Sequence, residues 1–141
     1  MYPMTLWVGL YSDWDQVLKK FNLYYDIGSM NDMEQDDMLV FKLREFSSGC
    51  TYLARSKKNN NEKGIIILLN QEYLYTEDYS FLLDLVSHEC SHATDAVWQV
   101  IGEPCHSFDE GNEPRAYLLG WFAGRIGEYL SEYFKNNKDE K

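Results

Sequence analysis

Two histidines four residues apart, His88 and His92, constrain the fold of this chain more than any other feature. On a helix, positions i and i+4 stand about 40° apart around the axis, so both imidazoles face one point. Glu89 sits beside them at the rim of the same face. A hydrolytic zinc site asks for this set: two neutral nitrogen donors, and a carboxylate that takes a proton from the water the metal activates. A third ligand has to come from elsewhere, and Glu113, in Asn112-Glu113, is well placed to supply it. The chain therefore needs one helix for the histidines and a second element that brings an acid to them.

The remaining composition sets bounds. At 141 residues the chain is the size of one ordinary domain, 1–141, in which 1–60 is the hardest part to assign and 135–141 is a charged tail. A hydrophobic content of 45% is enough for one packed core. No apolar run approaches the roughly 20 residues that span a bilayer, so no membrane partner is expected. The opening Met1-Tyr2-Pro3-Met4-Thr5-Leu6 lacks a basic segment and a long apolar stretch. No secretory signal is visible there. The expected location is cytoplasmic, or virion-associated if the chain is phage-encoded. A formal net charge of -10 argues against nucleic acid as the main partner, because phosphate binding needs a basic face. It suits a basic peptide or protein partner, and simple solubility explains it as well. Three cysteines, Cys50, Cys90 and Cys105, form no CxxC pair and an odd count, so no disulfide framework is expected. Cys90, between the histidines, reads as a small core residue.

Periodicity predicts an α+β fold. A first helix begins near Ser12, where Ser12-Asp13-Trp14-Asp15 resembles a capping box, and continues through Trp14, Val17, Leu18 and Phe21. Met38 to Phe46 and Thr51 to Arg55 read as strands. The polar run from Ser56 to Gly64 is an exposed turn, and Ile65 to Leu69 a buried strand. A hairpin across Cys50 to Asn70 follows, within a small antiparallel or mixed sheet of about three strands. Thr76 caps a long helix that carries the histidine pair and stops at Gly102. Pro114 suits the first position of the last helix, which runs to Tyr133 or Phe134.

Further residues bear on the site. Asp95, three after His92 and seven after His88, shares their face and can orient a ligand imidazole through its other N–H. On the last helix Glu113, Tyr117, Gly120, Gly124 and Gly127 fall on one stripe. Each interior glycine costs about 1 kcal/mol relative to alanine, so close contact with Ala93 and Ala96 is the expected compensation, and it would carry Glu113 to the histidines. Leu119, Phe122, Ile126, Leu130 and Tyr133 form a separate apolar face. Asp109 and Glu110 are rival third ligands, and the pair Cys105-His106 can also reach a metal.

His88-Glu89-x-x-His92, followed 21 positions on by Glu113 within Asn112-Glu113-x-x-Ala116-Tyr117, resembles the gluzincin branch of zinc metallopeptidases, the thermolysin type. The short length is also similar to that of small intracellular metallopeptidases that cleave phage and stress-response repressors. The likeness covers roughly residues 65–126. It implies a zincin-like fold, with the sheet packed on the histidine helix and a C-terminal third-ligand helix. It further implies Zn2+ held by His88, His92 and Glu113, Glu89 as general base, Asn112 as a bracing group, and a peptide or protein substrate. In such folds the strand before the histidine helix pairs with extended substrate, a part that falls to Ile65–Leu69. The pattern departs from metzincins, with Asp95 and Trp98 where glycine and a third histidine belong. The large C-terminal domain of thermolysin-type enzymes has no counterpart, so the oxyanion donor is open between Tyr117 and His106. Two other readings use the same residues. One is a catalytically silent zincin-like domain serving as a structural or binding module, with a protein partner in a larger, phage-type assembly. The other is a zinc hydrolase of a different amide, such as one in a cell wall.

Overall fold

The run Ile65–Leu69 lies in the middle of a four-stranded mixed sheet. A computed structural model of the protein describes residues 4–33, 48–59, 62–74, 78–102 and 113–137. Strand β1 is Thr5–Leu10, β2 Phe21–Tyr24, β3 Gly49–Ser56 and β4 Lys63–Leu69, and their spatial order is β1-β4-β3-β2. Strands β3 and β4 pair antiparallel, with Thr51 opposite Ile67, and make the expected hairpin around the polar turn. Strand β1 runs parallel to β4 on one side, and β2 antiparallel to β3 on the other. The sheet thus has one strand more than expected, because β1 and β2 close its two edges.

Both faces of the sheet are covered, which is why β4 reads as an unbroken apolar run rather than an alternating one. Ile66 and Leu68 pack with Tyr52 and Ala54 against helix α1, Trp14–Lys20, through Trp14 and Val17. Ile65, Ile67 and Leu69 face the opposite way, towards helix α3, Tyr79–Ile101, and helix α4, Glu113–Asn136. Each of the five β4 side chains is at most 1% exposed, and such burial is worth about 1.5–3 kcal/mol apiece. An interior strand with a neighbour on each side has no open backbone edge. The expected pairing of Ile65–Leu69 with a substrate is therefore corrected: that strand's hydrogen-bonding groups are taken by β1 and β3.

Local starts and stops differ in detail. The first helix begins at Trp14 after a 3-10 turn, Tyr11–Asp13, and Asp13 Oδ2 accepts from Leu10 N at 2.9 Å. It ends at Lys20, because Phe21 turns extended and enters β2. A short helix α2, Ile27–Asp32, is capped by Asp26, whose Oδ1 accepts from Ser29 N. The predicted strand Met38–Phe46 and the predicted cap Thr76 lie outside the described residues. Asp78 caps α3 instead, Oδ1 accepting from Ser80 N at 2.9 Å, and Gly102 stops it with a positive φ of 72°. Helix α4 starts one residue before Pro114 and runs past Phe134 to Asn136.

The glycine stripe is a correction. Gly120, Gly124 and Gly127 are exposed, and a Cβ on any of them would meet nothing within 4 Å. Helix α4 instead buries Leu118, Phe122, Ile126 and Leu130, a stripe at i, i+4, i+8 and i+12. The larger side chains gain more by burial, so they take the core side and leave the glycines to solvent. Among the described residues no helix is long and apolar enough to cross a membrane.

Candidate metal centre and cleft

Helix α3 presents His88 and His92 one turn apart, both exposed. Their Nε2 atoms are 3.1 Å apart, with ring centroids at 4.7 Å and planes at 79°. Two nitrogens each about 2.0–2.1 Å from one tetrahedral zinc would be separated by about 3.3 Å. The observed spacing fits that pair of bonds.

Glu89 lies beside the two histidines on α3, on the buried side of the cleft. It is 2% exposed, and with Thr94 it is one of two buried polar residues among those described. Thr94 is satisfied within α3, its hydroxyl donating to the Cys90 carbonyl at 2.7 Å. Glu89 is satisfied from the sheet: Thr51 Oγ1 donates to Glu89 Oε2 at 2.5 Å. Close approach of α3 to β3 requires Gly49. A Cβ there would stand 2.9 Å from Leu85 Cδ1 and 3.2 Å from Glu89 Cγ. Burial pushes the Glu89 carboxyl above its ordinary range, while the Thr51 hydrogen bond and the charges of His92 and His88 pull it back. Burial, with the neighbouring Glu89 carboxylate, pushes the Cys90 thiol up to about 11. It is a neutral core group at pH 7, as its position within the histidine pair implied.

A cleft of about 530 Å³ opens where α3 faces the first half of β3. His88, Glu89 and His92 line one wall, Gly49 and Thr51 another, and Tyr25 the rim, with the last residue 57% exposed. Asp95 lines the same cleft, and its Oδ1 is held by Arg115 Nη2 at 2.6 Å. Its partner in the structure is this guanidinium on α4, rather than the ligand imidazole expected from spacing.

Other expected residues are placed apart. Tyr117 is 76% exposed and lines a different, apolar groove with Met4, Leu6 and Trp121, so it is corrected as an oxyanion donor beside the histidines. It shares the solvent-facing stripe of α4 with the glycines. Glu113 is the first residue of α4, but its side chain lies outside what is described. So do Cys105, His106, Asp109, Glu110 and Asn112. Among the described residues no group of three or more His, Cys, Asp or Glu side chains could hold a metal ion. Sequence reasoning missed Thr51, Gly49 and Tyr25. The period of two along Gly49, Thr51 and Leu53 was the available signal, since it sets a hydroxyl on the face that carries core residues. No family model, no curated protein and no solved structure matches the chain.

Proposed function

We propose that this protein is a zinc-dependent hydrolase of zincin-like, gluzincin type that cleaves peptide bonds in the cleft between α3 and β3. One observation carries the reading: two imidazole nitrogens 3.1 Å apart, on the helix turn that also sends a carboxylate into the same cleft. His88 and His92 hold the ion, with Glu113 as third ligand. The support for Glu113 is no longer the glycine stripe. It is the Arg115–Asp95 pair, which ties the residue two after Glu113 to the residue three after His92. Zinc held there would supply Lewis acidity, the chemistry that activates a water and polarises a carbonyl. Glu89 takes the proton of the attacking water and passes it to the leaving amine. Tyr25, which lines the cleft, would be the phenol that donates to the developing oxyanion.

A peptide suits this cleft because of β3. Its pairing with β2 covers only Leu53–Ser56. An extended peptide would lie along Gly49 and Thr51, which line the cleft together with His88, Glu89 and His92. A second reading, a metal-bearing but catalytically silent module, is favoured by the near-complete burial of Glu89.

Elemental analysis and a peptide assay decide between them. The purified chain is expected to hold one zinc, lost in His88→Ala and in His92→Ala. Glu89→Gln is expected to keep the zinc and lose cleavage of a pool of quenched fluorescent peptides of randomised sequence. Zinc without cleavage in the wild type would establish the silent module. A wild type that takes up no zinc, or a Glu89→Gln variant that cleaves normally, refutes the hydrolase.

A further inference from the structure

We infer that Thr51 is a positioning residue for Glu89: with Gly49 it forms a seat on β3 that fixes Oε2 and leaves Oε1 as the oxygen that handles the proton. The inference rests on the hydrolase reading above and adds to it a residue outside the histidine motif.

Three observations converge on this seat. Thr51 Oγ1 lies 2.5 Å from Glu89 Oε2 and donates to it. An ionised carboxylate only accepts, so the threonine proton is committed to it. Gly49, two residues earlier on the same face, lies against the Glu89 stem, where a Cβ would stand a tight 3.2 Å from Cγ. Strand β3 is itself held in register by β4, with Thr51 opposite the fully buried Ile67. The donor therefore sits on a rigid platform and not on a loop. A β-branched side chain at that position has few χ1 choices, which fixes the direction of its hydroxyl. Among the described residues, this is the hydrogen bond that holds the Glu89 side chain. A general base held by one oxygen needs no reorganisation before it accepts a proton with the other.

The test compares zinc-loaded wild type, Thr51→Val, Thr51→Ala and Thr51→Ser on the randomised quenched-peptide pool. Zinc affinity is measured separately by competition with a chelating dye, and folding by circular dichroism. Thr51→Val keeps the shape and removes the donor, and Thr51→Ala replaces it should valine not fold. Either is expected to lower kcat about 10- to 100-fold, the usual effect of losing an outer-shell partner. KM and zinc affinity are expected to stay within about twofold, since substrate and metal contacts are untouched. Thr51→Ser is expected to restore most of kcat. A Thr51→Val enzyme with wild-type kcat, a serine variant no better than valine, or a loss that tracks zinc affinity overturns the inference. If the wild type cleaves and Glu89→Gln does not, such a result sinks the role of Thr51 alone. A wild type without cleavage sinks the hydrolase reading and this inference together.

Discussion

Arg115 reaches from the first turn of α4 to Asp95 on α3, its Nη2 2.6 Å from Oδ1. The side chains are 24% and 55% exposed, so the pair straddles the surface, and its guanidinium Nε is buried with no partner among the described residues. Pairs open to water contribute little, about 0–1 kcal/mol, and salt screens them. Arg115→Ala is expected to destabilise by about 1 kcal/mol, the guanidinium's packing adding to its charge. Asp95→Asn should cost less, and its effect should shrink in high salt. Urea unfolding of both variants at low and high ionic strength checks this.

Glu89 opposes folding in the metal-free protein. Burial raises its carboxyl, so the charged form is held less favourably in the folded state than in the unfolded chain. A raised carboxyl contributes stability in acid, below its unfolded value of about 4.3, and that contribution is lost as pH rises through the folded value. At neutral pH the buried charge is a cost. Glu89→Gln, whose amide oxygen still accepts from Thr51, is expected to stabilise the metal-free protein by about 1 kcal/mol. The gap should close on acidification, as thermal melts across a pH series would reveal.

Gly49 is a contact site, not a flexible joint. An alanine there would press on Leu85 Cδ1 at 2.9 Å and on Glu89 Cγ at 3.2 Å. Gly49→Ala is expected to destabilise by about 1–3 kcal/mol, the ordinary cost of overpacking. Adding Leu85→Val, which shortens the nearer obstacle, should recover part of the loss. Denaturant midpoints of the single and double variants test both statements.

Tyr129 sets an alkaline limit. Burial, together with the nearby charges of Asp13 and Tyr133, pushes its phenol up to about 12. The unfolded phenol titrates near about 10, so the contribution is complete below that pH and lost as pH rises towards the folded value. Stability should fall between those limits, and Tyr129→Phe should flatten the fall. Unfolding monitored against pH, with tyrosinate absorbance as a second signal, reads it directly.

Much of the central architecture is written in local signals. The β3–β4 hairpin announces itself through a polar, asparagine-rich turn next to five apolar residues, and α3 through its histidine face and the Gly102 stop. The outer strands escape for physical reasons. Phe21 completes the helical spacing of Trp14, Val17 and Leu18, yet the chain turns extended there with no glycine or proline to mark the change. Strand β1 is only partly covered, so its apolar pattern is mixed. The glycines of α4 mislead because a residue without a side chain suits both close contact and open solvent, and only the neighbouring Leu118 and Phe122 decide which. At the site, the histidines are legible because one helix holds both. Thr51 is 38 residues away from Glu89, and only the packing of α3 on β3 brings them together.

Strands β1 and β2 flank opposite borders of the sheet, yet they are consecutive in the chain, joined by α1 across its back. During synthesis both leave the ribosome before β3 and β4 exist. Strand β2 cannot dock until β3 has emerged, nor β1 until Leu69 has, and both then settle around a hairpin made after them. In nascent chains stopped short of that residue β1 should be protease-sensitive, because the first of the four strands is the last to find shelter.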